Sequence, residues 1–170
     1  MPETKCEVVG DVAGEFISAE IASEEARKSS LESRGLGVIS TSGGLVTLLM
    51  GLAVVVTHAV GFALTDSERW LLTGAAGLYV VASGLGIATN WPVPSLRIDP
   101  ESLVTLLDPT AWNEEASDAK RELAVVRRAQ LADAVAWNER KARIVLAAMS
   151  FEVAAVSMTV LATTAVLINN

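Results

Sequence analysis

The chain has 170 residues, of which 51% are hydrophobic and only 19% charged, with a mean hydropathy of +0.43. Soluble domains carry about 25% charge, so the composition excludes an ordinary soluble globule as well as a disordered chain. The 20 acidic residues outnumber the 13 basic ones for a net charge of −7, a poor electrostatic footprint for nucleic acid. The single cysteine, Cys6, allows no intrachain disulfide and no cysteine-based zinc site.

Residues 1–37 read as an N-terminal helical segment. The first 34 residues hold eight acids and four bases, unlike the basic start and apolar run of a cleaved signal peptide. Within it, Phe16, Ile17, Ile21 and Leu31 give a narrow apolar face. No Asp, Glu, Lys or Arg then occurs among the 31 residues from Gly35 to Thr65. A helix needs about 20 apolar residues to cross the hydrocarbon, and its backbone must bond to itself there. Residues 38–64 are therefore expected to be a first transmembrane helix, acting as an uncleaved anchor. A short turn, Thr65 to Arg69, leads to a second uncharged run of 27 residues, Trp70 to Leu96. Its span is expected at residues 70–90, flanked by Trp70 and Trp91 as interfacial anchors. Trp91-Pro92-Val93-Pro94 ends it, since proline removes a donor and blocks helix continuation.

Residues 91–143 form the charged segment between spans. Asp99-Pro100 and Asp108-Pro109 mark turns, and Ser102 to Leu107 is expected to form a short helical turn. From Thr110 onward there is no Gly or Pro. Leu123, Val126, Ala134 and Trp137 share one helical face. This helix is expected to run into a third span, residues 144–168. It would either stand off the membrane as a stalk of about 45 Å or lie along its surface. The predicted fold is thus all-α: an integral membrane protein with three transmembrane helices and a long cytoplasmic helix continuing into the last span.

Orientation follows from the bases near span ends. Eight lie between Arg97 and Arg143, three precede the first span closely (Arg27, Lys28, Arg34), and the turn after it holds one. The N-terminus and the charged segment are expected in the cytoplasm and the C-terminus outside.

No catalytic constellation, metal cluster or cofactor motif is legible. The single histidine, His58, reads as a packing residue near the far end of the first span. Gly84 to Ala88 lies inside a span, without the preceding strand that a dinucleotide fingerprint needs. Asp118, Glu122, Asp133 and Glu139 read as a solvated face, not a metal site. The expectation is a non-enzyme with no cofactor.

Glu152 is the exception in the last span. It follows Ile144 by eight residues, about 12 Å into the hydrocarbon. A carboxylate there costs about 2–3 kcal/mol unless it is protonated or paired. Its face reads Ala148, Glu152, Ala155, Thr159, so it is expected to meet other helices. Matching depths point to Ser83 on the second span or Thr47 on the first as bonding partners. Gly43, Thr47 and Gly51 recur every four residues, as do Ala82 and Gly86, with Gly74 and Gly77 adding flat surface. Such stripes let helices approach closely and point to a tight bundle and a homo-oligomer.

The sequences EEARKSSLESRGLGVISTSGGLVTLL (Glu24 to Leu49) and WNERKARIVLAAMSFEVAAV (Trp137 to Val156) each feed a charged helix directly into an apolar one. With two closely spaced spans between them, this order resembles the small transmembrane effectors of bacterial Pycsar antiphage defence. The resemblance implies a protein of the bacterial cell membrane that responds to cyclic UMP or cyclic CMP, made by a partner cyclase. The response would impair membrane integrity and cause abortive infection. Arg121, Arg127 and Arg128 are then the expected phosphate partners on charge grounds. The competing expectation is a structural or regulatory membrane subunit that binds a protein through its cytoplasmic helices. A transporter is disfavoured by the small number of spans and the lack of inverted repeats.

Overall fold

The computed structural model describes residues 3–58, 64–92 and 116–169. Among them there is no strand, and three helices carry nearly every residue: α1 (Glu3–His58), α2 (Asp66–Thr89) and α3 (Ala116–Asn169). Each is long and apolar enough to cross a membrane, so the chain is a multi-pass helical membrane protein by length and composition. α1 and α3 are unbroken across the expected boundaries at residues 37 and 143. The part of the first span at 59–63, both Asp-Pro turns and the helical turn expected at 102–107 lie outside the described residues.

α2 begins four residues before the expected Trp70, for a local reason. Thr65 is its N-cap, and the sequence Thr65-Asp66-Ser67-Glu68 closes a capping box. The Glu68 N–H donates to Thr65 Oγ1 at 3.5 Å, and the Thr65 N–H donates to Glu68 Oε2 at 2.8 Å. Two otherwise orphaned donors are satisfied, and Asp66 and Glu68 put negative charge at the helix's positive end.

The chain divides into two compact units. The first comprises residues 1–29 and 92–139. There the early part of α1 lies parallel to the early part of α3: Ser18 meets Arg127, and Glu24 meets Asn138.

The second unit, residues 30–91 and 140–170, is a three-helix bundle. α1 and α3 again run parallel, with Glu32 beside Lys141 and Ser42 beside Glu152. α2 runs the opposite way, placing Ala82 against Val38 and Ala148 and Ala75 and Tyr79 against Ala155. Buried positions recur in steps of three and four, or of seven late in α3: Leu31, Gly35, Val38 and Ser42 on α1; Ala75, Tyr79, Ala82, Gly86 and Thr89 on α2; Lys141, Val145, Ala148, Ala155 and Ala162 on α3. A mean spacing of 3.5 residues is the signature of left-handed, knobs-into-holes packing. Eight of these fourteen residues are alanine, glycine or serine, which lets the backbones come close. The backbones of α1 and α2 come close at Gly35 and Gly86, where a Cβ on Gly86 would fall 2.8 Å from Gly35 O.

Candidate functional site

Polar groups in the second unit gather at two levels. At its charged end, Lys141 Nζ donates to Glu32 Oε1 at 2.5 Å, and the lysine side chain is only 8% exposed. Asn90, the C-cap of α2, donates through Nδ2 to Glu32 O at 3.4 Å and to Gly86 O at 3.2 Å. One residue of α1 thus holds both other helices. A polar pair among apolar seam positions fixes helix register more than it adds stability.

The second level is Glu152. Its Oε1 accepts from Thr41 Oγ1 and, at 3.4 Å, from Ser42 Oγ. Ser42 is fully buried, Glu152 half-buried and Thr41 exposed. The two residues expected from depth matching lie elsewhere. Thr47 is exposed and donates to Gly43 O of its own helix at 2.9 Å. Ser83 is half-buried on α2 and is not a bonding partner of Glu152. The difference comes from where the uncharged run begins. The Glu32–Lys141 pair sets Gly35 level with Ile144, so eight residues further in along α1 falls near Ser42. Counting from Val38 instead overshoots to Thr47.

The small-residue stripes divide between faces. Ala82 and Gly86 are buried in the bundle, and a Cβ on Gly74 would meet the flexible end of Met158 at 2.7 Å. Gly43, Thr47 and Gly51 are exposed, and a Cβ on Gly43 or Gly51 would touch nothing.

The three arginines lie in the first unit and are not equivalent. Arg121 and Arg128 are exposed, while Arg127 is half-buried and donates through Nη1 to Ser18 Oγ at 2.8 Å. Arg127 lines a cleft of about 380 Å³ with Lys120, Leu123 and Ala124 of α3 and Gly14, Glu15 and Ser18 of α1. Gly14 presents no side chain to fill this space, and nothing lies within 4 Å of where its Cβ would be. Lys120 was not singled out by the sequence. Its seven-residue separation from Arg127 returns to the same helical face and could have identified it.

Below that cleft, Asn138 is buried and donates through Nδ2 to Glu24 O at 2.8 Å and Glu24 Oε2 at 2.7 Å. Arg27 completes the group with an ion pair to Glu24 at 3.4 Å. This cluster is satisfied internally and serves register.

A larger cavity of about 460 Å³ lies in the second unit among Val46, Leu49, Leu72, Ala162 and Val166. Among the described residues its polar side chains are the hydroxyls of Thr73 and Thr163, neither of which carries charge for an anion. Among the described residues no group of three or more His, Cys, Asp or Glu could hold a metal ion. No protein family, curated protein or solved structure matches the chain.

Proposed function

We propose that this chain is a non-enzymatic membrane effector of bacterial antiviral defence that senses a cyclic pyrimidine nucleotide and breaches the membrane when copies assemble. In this reading the charged unit is cytoplasmic and the apolar bundle spans the cell membrane. The observation that carries it is the cleft at Arg127. Its volume falls at the lower end of the about 300–1,000 Å³ of small-molecule sites, the size of a mononucleotide. Arg127 and Lys120 offer positive charge to a cyclic phosphate, Arg127 with a planar fork. Leu123 and Ala124 supply an apolar wall for a base. α1 and α3 form both the cleft and the bundle, so a ligand that favours one arrangement of these two helices would bias their packing. It can do so only by its difference in affinity between the two arrangements.

Calorimetry on the purified protein tests this. Cyclic UMP or cyclic CMP should bind saturably. Arg127→Ala should weaken binding about 10- to 100-fold, the loss expected for a charge-assisted hydrogen bond. Arg121→Ala and Arg128→Ala should weaken it less, because their side chains lie outside the cleft. Absence of saturable heat with either nucleotide at millimolar concentration would overturn the sensing role.

One observation favours the alternative, a structural or regulatory subunit. Val12 and Phe16 share one face of α1 and are each more than 60% exposed within the charged unit, an apolar strip that a partner protein could cover.

A further inference from the structure

The carboxyl of Glu152 is only half satisfied. Oε1 takes both hydroxyls, a close bond from Thr41 Oγ1 and a longer one from Ser42 Oγ. Thr41 Oγ1 also lies 3.0 Å from Gly37 O and 3.3 Å from Val38 O, so its one proton is shared, and the Ser42 bond is long at 3.4 Å. Oε2 accepts from none of the described residues. It is not a sealed buried atom either, and Glu152 is half-buried. This oxygen therefore opens onto the outside of the bundle beside the exposed Thr41. About 12 Å from the bundle's charged end, that outside is hydrocarbon, where no water supplies the missing donor. A glutamate side chain is too short to reach the interface from there. An intramembrane carboxyl left open on one side calls for a donor from another molecule.

The surface around it is shaped for a close neighbour. Gly37 and Gly44 lie four residues before and three after Thr41, on its side of α1; with Ser40 they are exposed, and a Cβ on either glycine would meet nothing within 4 Å. Small residues alone would not identify a partner, but the open carboxyl does. The donor must be held at the depth of Glu152 by a helix that can lie against nearly bare backbone. Ser40 meets both conditions. Its hydroxyl is outward, has no partner among the described residues, and lies two residues from Ser42, about 3 Å in depth. Every copy inserted with the same topology carries Ser40 at that level. Donor and acceptor lie at nearly the same depth on one chain but on different flanks of α1, so two copies can satisfy each other reciprocally.

We propose that the face formed by Glu152 and the Gly37–Gly44 surface of α1 is the contact between copies of this chain in the bilayer, with Ser40 of one copy donating to Glu152 of the next. This deepens the assembly step of the effector reading and needs only the membrane-spanning bundle, not the nucleotide.

Association is measured without nucleotide, by energy transfer between copies labelled at Cys6 in liposomes, over a series of protein-to-lipid ratios. The wild-type chain should associate as the ratio rises. Glu152→Gln should associate comparably, since its amide oxygen still accepts. Glu152→Leu should shift half-association to about 8- to 300-fold higher protein-to-lipid ratio, the range of the two interhelical hydrogen bonds lost in a reciprocal pair. Gly44→Leu, which blocks the approach while leaving the carboxyl in place, should shift it at least as far. Gly77→Leu, at an exposed site on α2, should not shift it. Circular dichroism confirms that each variant remains helical. A wild-type chain that stays monomeric at every ratio would overturn the proposal and assign the face to lipid or another protein. So would Gly44→Leu associating like wild type, or Gly77→Leu weakening association equally. None of these outcomes bears on nucleotide binding, which calorimetry reads separately.

Discussion

Glycines that look alike in the sequence do different work in the bundle. Gly86 sits where α2 crosses α1, and a Cβ there would fall 2.8 Å from both Gly35 O and Ile39 Cγ1. Backbone cannot give way as a flexible side chain can. Gly86→Ala should therefore force the two helices apart at a cost of about 1–3 kcal/mol, typical of overpacking. Gly77→Ala meets open space and should be neutral or slightly stabilising, since alanine is about 1 kcal/mol better in a helix. The midpoint of denaturation by added SDS in mixed micelles reads both, and equal midpoints for the two variants would contradict the close crossing. The sequence marks Gly86 and Ala82 as a small-residue stripe on grounds equally valid for Gly43, Thr47 and Gly51. Spacing on one helix cannot say which face meets a neighbour within the chain. That depends on the register of the other two helices, set by Glu32, Lys141 and Asn90.

Helix ends show how much of an element is legible locally. α2 is recognisable as a span from hydropathy alone, yet its start is set by polar residues that a hydropathy reading passes over. The Thr-x-x-Glu signature from Thr65 to Glu68 is a capping box readable in one dimension, and it extends the helix back to Asp66. Removing the cap hydroxyl in Thr65→Ala should cost about 1 kcal/mol. The loss should be local: amide exchange at Glu68 should quicken about five-fold while exchange at mid-helix Tyr79 stays slow. Thr65→Ser should restore protection. Quickening spread evenly along α2 would mean that Thr65 acts on packing and not on the cap. The charged segment is less legible. Its helix is clear from the absence of Gly and Pro, but the cleft needs the position of α1 opposite Arg127. No pattern within α3 contains that.

At the scale of the whole molecule, the two reliable signals are the uncharged runs and the distribution of bases. Both follow from the cost of charge in hydrocarbon, and both survive without knowledge of side-chain contacts. The bundle adds a constraint that hydropathy lacks. α1 and α3 are parallel, so Arg34 and Arg143, which bound their apolar runs, lie at the same end. Both helices must then enter the membrane from one side, with α2 returning the chain between them. Were that side the outside, eight bases between Arg97 and Arg143 would have to be translocated while the short turn with Arg69 alone stayed in. The C-terminus should therefore face out and the N-terminus in. In a bacterial host, alkaline phosphatase fused after Asn170 should be active, and a fluorescent protein fused before Met1 should fluoresce. The protein should sediment with membranes and resist alkaline carbonate. The reverse reporter pattern would invert the topology and remove the cleft at Arg127 from any cytoplasmic nucleotide. Recovery in the supernatant would contradict the spans themselves, and with them the reason an unpaired oxygen on Glu152 needs a neighbour.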